Sequence, residues 1–345
     1  MTQKKFLIVG PNLPRECGIA AHVFQLAASL KKEGWIVDIL SPNDCEGLYH
    51  ENLIGGLNLL KLLKYSNDYT AINIHFSPEE YFYTGRYNFL RIFNLIPIFS
   101  FLILFKLVKN INIVIHEPPM TKYFFQRTLI HRLIWKQVPK ISFFTNTERK
   151  ILEKNLNISF RKDQYHIEKV NNNFIPFSEL SKKDARLKLN LDKNKIIFLC
   201  VGFIAESKGF DRIAKLFTQM NLTNSLLHIT GSVRLENDKI SNDYFNKLSG
   251  ICEKGSDIFL SNQFLSYEDF DIWTIASDYI VFPYRKCSNS GVLGRAKLFK
   301  KPVIVSDAGG LKDQIFQEDF IFNNDTELRD IIENIDINYQ SLNSE

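Results

Sequence analysis

Short apolar runs alternate with helical patterns along most of this 345-residue chain, and that alternation is the strongest constraint on its fold. Strands that are apolar on both faces must be covered on both, and a parallel sheet flanked by helices supplies that cover. The first run, Phe6-Leu-Ile-Val-Gly10, precedes a turn-rich loop and a periodic helix from about Ala20 to Glu33. The helix stops at Gly34, and Trp35–Leu40 resumes as a strand. Ala71–His75, Ile111–His116 and Lys140–Thr145 predict further strands of the same sheet.

A second start lies near the middle. Val170–Pro176 is a polar, Pro-ended linker, followed by a charged helix around Lys182–Asn190 and a buried strand, Lys195–Gly202, that ends in glycine as the first one does. Leu226–Gly231, Ile258–Leu260, Tyr279–Pro283 and Pro302–Ser306 supply later strands. At about 150 residues per domain the length fits two domains, which the pattern places at 1–174 and 175–345. Doubly wound sheets bind ligands at the carboxyl ends of their strands, so two facing domains of this kind leave a central cleft there.

The net charge of +5 conceals an asymmetry. Residues 1–174 hold 22 Lys and Arg against 14 Asp and Glu, whereas the remainder holds 21 against 24. Between Arg86 and Lys140 nine cations stand with one acid, Glu117, the footprint of an anionic partner. That window also contains the most apolar segment, Ile92–Val108, which carries Asn94, Pro97, Ser100 and Lys106 and is shorter than the roughly 20 apolar residues of a membrane span. A buried or half-buried helix, or one lying in a membrane interface, suits it better. Five scattered cysteines without a Cys-x-x-Cys pair argue against a disulfide framework or zinc site and for a reducing, cytoplasmic setting. The short apolar stretch after Lys5 is not a signal peptide.

Several loops follow predicted strands. In Gly10–Ala20, Gly18 falls at a helix start, where free N–H groups and the helix dipole favour an anion, but the spacing does not fit the dinucleotide pattern Gly-x-Gly-x-x-Gly. Val201–Gly209 repeats the arrangement, with Gly202 in the turn and Lys208 as a point charge near a helix start. Arg285–Gly294 joins two cations to a run of Ser and Gly that opens another helix, and Lys301–Gly310 is a strand ending in Gly-Gly. Taken singly, each has a bland structural or surface reading.

Taken in order over about 300 residues, Pro14–Ala20, Val201–Gly209, Ala276–Tyr284, Ser290–Leu293 and Lys301–Leu311 resemble glycosyltransferase family 4, retaining nucleotide-sugar enzymes of GT-B fold. The resemblance implies an acceptor-binding domain at 1–174, a donor-binding domain at 175–345 and a nucleotide-diphosphate sugar as co-substrate; the lack of an acidic cluster such as Asp-x-Asp in a suitable loop predicts transfer with no metal and no other cofactor. The resemblance also implies Gly18, Gly202, Lys208, Ser290, Gly291 and Val292 around the donor, Phe264 near the base, and His116 beside the sugar, with Glu117 as a weaker alternative.

Departures from the family pattern matter as well. The two glutamates usual in the second donor loop are Cys287 and Arg295, and the arginine usual after Val-Gly is Phe203. Guanidinium binds phosphate bidentately, so Arg285 or Arg295, with Lys208, is expected to hold the leaving diphosphate in its place. The expected activity is transfer to a glycan or polyprenyl-diphosphate-linked acceptor in bacterial cell-surface polysaccharide synthesis, peripherally on the cytoplasmic face of the inner membrane. The apolar character of the basic window and the lack of a binding module argue against nucleic acid. The alternatives are a catalytically silent nucleotide-sugar-binding subunit and a nucleotide-sugar 2-epimerase.

Overall fold

The alternation becomes two parallel sheets. The structure, a computed structural model, describes residues 4–15, 17–41, 49–50, 60–76, 95–116, 118, 128–169, 174–233 and 239–343. Contacts divide the chain into Met1–Ile175 and Pro176–Glu345. Glu117, residues 86–94 and 119–127 of the basic window, and 170–173 of the linker lie outside the described residues.

The first unit runs β1 (Lys5–Val9), α1 (Gly18–Lys32), β2 (Ile36–Ser41), β3 (Tyr49–His50), α2 (Leu62–Tyr65), β4 (Ala71–Phe76), α3 (Leu95–Leu107), β5 (Ile111–Ile115), α4 (Thr128–Gln137), β6 (Lys140–Phe143), α5 (Asn146–Leu156) and β7 (Tyr165–Ile167). The sheet order is β3-β2-β1-β4-β5-β6-β7, every pairing parallel. One face, with Leu7, Ile72, Ile74, Phe76 and Ile113, packs with Phe101, Leu104, Ile134 and Trp135 of α3 and α4. On the other, Ile8 packs with Val23, Leu26, Ala27 and Leu30 of α1. In this packing Phe76 meets Trp135 edge to face at 5.6 Å and Phe101 stacks on Phe105 at 5.4 Å.

The apolar segment of the sequence is helix α3, half-buried rather than spanning. Phe101, Leu104 and Phe105 are buried, while Phe99, Ile103 and Leu107, four residues apart, form an exposed stripe. No helix among the described residues is long and apolar enough to cross a membrane.

The second unit runs α6 (Lys182–Lys188), β8 (Ile196–Val201), a 3₁₀ turn Glu206–Lys208, α7 (Phe210–Phe217), β9 (Ser225–Gly231), α8 (Lys239–Cys252), β10 (Ile258–Asn262), α9 (Tyr267–Ala276), β11 (Tyr279–Phe282), α10 (Gly291–Leu298), β12 (Val303–Ser306), a 3₁₀ turn Leu311–Gln314, β13 (Phe320–Phe322) and α11 (Asp325–Asn343). Its sheet order is β10-β9-β8-β11-β12-β13, also parallel throughout. All six residues of the central strand β8 are buried, which explains its unbroken apolar run. Helix α6 ends earlier than the charged pattern suggests, because Leu189 caps it and Asn190 turns left-handed at φ 52°. The short strands β3, β7 and β13 had no counterpart in the sequence reading.

Candidate functional site

In the second unit the carboxyl ends of the central strands carry the residues singled out above. At the end of β8, Gly202 has φ +113°, and a Cβ placed there lies 3.3 Å from Val292 Cγ2, so this turn abuts the first turn of α10. At the end of β9, a Cβ on Gly231 would stand 1.8 Å from the Gly202 carbonyl oxygen, an approach that only glycine permits.

Ser290 caps α10. Its Oγ accepts from Leu293 N–H at 3.3 Å, and its own N–H donates to Gln314 Oε1 at 2.8 Å. The Cβ position of Gly291 has no heavy atom within 4 Å, so the helix begins in open space with the positive end of its dipole.

Lys208 ends the 3₁₀ turn after β8 and sets its Nζ 3.8 Å from the centre of the buried Tyr284 ring, a cation–π contact. Arg285 fixes that turn. Its guanidinium donates to Asp211 Oδ1 and Oδ2 at 2.8 and 2.9 Å and to the Glu206 carbonyl at 2.9 Å, while its N–H donates to the Ser207 carbonyl at 2.8 Å. Burial pushes the Asp211 carboxyl upward, but bonds from Arg285 and Tyr244 outweigh it and hold Asp211 below its ordinary value. Arg285 is thus a brace for the turn that carries Lys208.

Arg295 departs further from expectation. It is 6% exposed and lies inside the unit, with Nη2 2.7 Å from Asp271 Oδ2, Nε bonded to Oδ1, and its guanidinium over the Phe177 ring at 5.0 Å. Asp271 also accepts the Phe177 N–H at 2.7 Å. The assignment of Arg295 to the diphosphate is therefore corrected: the side chain points inward from α10 and ties the first residues of the unit to α9. Cys287, where the family places a glutamate, holds the loop through its backbone, its carbonyl accepting from Gly310 N–H at 3.0 Å.

Phe264, half-exposed after β10, lies 6.4 Å from the ring of Phe203, the residue that replaces the usual arginine. Asn262 joins the adjoining loops, its Oδ1 accepting from Val233 N–H at 3.2 Å.

In the first unit Gly18 opens α1, a helix of 15 residues, with nothing within 4 Å of its Cβ position. The thiol of Cys17 serves as cap, accepting from Ala20 N–H at 3.3 Å. His116 follows β5, and its Nε2 lies 2.8 Å from Nδ1 of His75 on β4. His22 of α1 packs against both rings, at 5.4 Å from His75 and 5.2 Å from His116. Burial pulls His22 down to about 4. It also pulls His75 and His116 well below 6.5, reinforced for His75 by His116 and His22 and for His116 by His22. Among the described residues no group of three or more His, Cys, Asp or Glu side chains has a metal-holding arrangement. His22, His75, Tyr284, Asp211 and Gln314 were missed from the sequence; only the placement of His75 near a strand end, on the same side as His116, offered a signal.

Residues 181–338 match the family model described as "Glycosyl transferases group 1". No curated protein matches the chain. Among solved structures, sucrose-phosphate synthase from Thermosynechococcus elongatus superposes with a TM-score of 0.68 at 17% identity, covering 96% of this chain and 90% of that one. A glycosyltransferase from Rickettsia africae gives 0.67 at 14% identity, with 96% and 88% covered. Anabaena HepE in complex with UDP gives 0.65 at 13%, with 96% and 89% covered. The chain thus has the GT-B fold of two Rossmann-like domains, and the match to the group 1 glycosyl transferase model falls within its second unit.

Proposed function

We propose that the protein is a retaining glycosyltransferase that moves a sugar from a nucleoside-diphosphate sugar to a glycan or polyprenyl-diphosphate-linked acceptor in bacterial cell-surface polysaccharide synthesis. The observation that carries this reading is the junction of the Gly202 turn, Lys208 and the open start of α10 at the carboxyl edge of the second sheet. When the glycosidic bond breaks, charge gathers on the β-phosphate, and preorganised donors at that position lower the barrier. Lys208 supplies a full charge there, and Ser290, Gly291 and Val292 supply the helix end. In this reading these groups do the work without a metal. Both arginines are engaged with aspartates, which leaves Lys208 as the principal cation. Phe264 and Phe203 suit the base side of the donor, and His116 the sugar. The neighbours whose structures contain UDP or UDP-glucose support a nucleotide-sugar donor.

A second reading, a silent nucleotide-sugar-binding subunit, draws support from Phe203 and from the engagement of both arginines. Incubation with UDP-glucose, UDP-N-acetylglucosamine and GDP-mannose, following nucleoside-diphosphate release and donor isomerisation, separates the readings. Release that falls by about 100-fold or more in Lys208→Ala, the scale of losing one transition-state donor, supports transfer. Binding without release supports the silent subunit, and isomerisation without release supports an epimerase.

The acceptor side of the proposal includes a membrane. Lys106 and Lys109, next to the α3 stripe in the chain, and Lys136 and Lys140 further along are exposed, and apolar area combined with cations is what an anionic bilayer at the cytoplasmic face attracts.

A further inference from the structure

The histidine pair at the end of β4 and β5 goes beyond the role assigned to His116 alone. In the parallel ladder Phe76 lies opposite Ile115, so His75 and His116 occupy the same sheet face at its carboxyl edge. Their rings stack with centroids 5.1 Å apart and 29° between planes, and Nδ1 of His75 lies 2.8 Å from Nε2 of His116. Two neutral imidazoles make such a bond only when one nitrogen carries the hydrogen and the other does not, so the contact couples the tautomers of the two rings: both carry it on Nδ1 or both on Nε2. Two more rings bound His116: His22 from α1 at 5.2 Å and 72°, and Phe144 after β6 at 5.3 Å.

Among the described residues, the ionisable groups around the pair are His22 on α1 and Glu168 beyond β7, which acts through His22. Burial disfavours a charge on all three rings, and the neighbouring imidazoles add to this for His75 and His116. A neutral imidazole hydrogen-bonds a hydroxyl and carries no charge to attract a phosphate.

We propose that His75 is a positioning residue: through its Nδ1 it holds His116 in one tautomer and one ring orientation, so that His116 meets the donor sugar as a neutral hydrogen-bonding group. This rests on the reading of His116 as the sugar-side residue.

The test exploits the identity of the bonding nitrogen. Asn places an amide atom where His75 has Nδ1, Gln places one where it has Nε2, and Phe fills the volume with no polar atom. Turnover of UDP-glucose, UDP-N-acetylglucosamine and GDP-mannose by His75→Asn, His75→Gln and His75→Phe is compared with thermal stability. The expected result is a kcat lowered tenfold or more in the Gln and Phe variants with donor KM changed less than twofold, and recovery of most of that loss in Asn. A purely packing role predicts the opposite order, with Phe the best tolerated and Asn the worst, and overturns the proposal. In a His116→Ala background, His75→Phe should cost nothing further in kcat.

Long-range ¹⁵N–¹H spectra of the histidine-labelled protein give a readout independent of the donor. One His116 tautomer in the wild type, lost in His75→Phe and restored in His75→Asn, supports the proposal, and two exchanging tautomers in the wild type overturn it. Full activity of His116→Ala removes the reading of His116 itself, an outcome distinct from His116→Ala being inactive while every His75 variant turns over normally.

Discussion

Arg295 shows what a residue's place in the sequence conceals. Its place in the family pattern suggested a phosphate ligand, but the side chain is 6% exposed and bonded to Asp271 inside the unit. Lys208, by contrast, ends the 3₁₀ turn just before α7, near a helix start as the sequence pattern indicates. Arg295→Ala leaves Asp271, fully buried, without its guanidinium, so it is expected to destabilise the protein by about 3–5 kcal/mol. Urea unfolding checks this, and a loss under 1 kcal/mol rejects the buried-pair account. The histidines carry a second prediction. His22 has a folded-state value of about 4 against an ordinary 6.5. The unfolded chain therefore takes up its proton first as pH falls, and stability intact above about 6.5 is lost progressively toward 4, by about 3 kcal/mol from His22. Unfolding free energies at pH 7 and pH 4 should differ less in His22→Phe than in the wild type; equal differences would remove His22 as the source.

At the scale of elements, the central strands were readable because β1, β4, β5 and β8 are covered on both faces and admit few polar residues. Strands β3, β7 and β13 are two or three residues long and mostly polar or exposed where described, so no periodicity marks them. Helix α3 was legible as an apolar helix but not in its orientation, since a segment apolar all round has no face to read. The structure supplies the face. Phe101 is 2% exposed in the core, and Phe101→Ala is expected to cost about 3–5 kcal/mol. Ile103 and Leu107 lie on the exposed stripe, and the double change Ile103→Gln, Leu107→Gln should leave stability within about 1 kcal/mol of wild type. The same double variant should sediment less with vesicles of phosphatidylglycerol and phosphatidylcholine, and the wild-type binding should weaken as salt is raised. Undiminished binding by the variant would place the membrane contact elsewhere.

Across the whole molecule, the two units have separate cores and opposite charge balance, and Gly202, Lys208 and the start of α10 lie in the second. The glycine turns of that site were legible because the positive φ of Gly202 and the close backbone approach at Gly231 demand glycine. Its braces, Asp211 beneath Arg285 and Gln314 behind Ser290, come from distant segments and leave no local pattern. This division predicts where a nucleotide acts. UDP at a hundredfold its dissociation constant should stabilise the state that binds it by about 2.7 kcal/mol. If the phosphates rest on the Gly202 turn, Lys208 and the start of α10, hydrogen exchange with UDP bound should slow at 202–208 and 290–293 and remain unchanged along β1, β4 and β5 of the first unit. Lys208→Ala should erase the effect at both segments together, because one diphosphate bridges them. Protection confined to 262–264 would mean that only the base is held, and the junction built around Gly202 and Val292 would then not be the phosphate site.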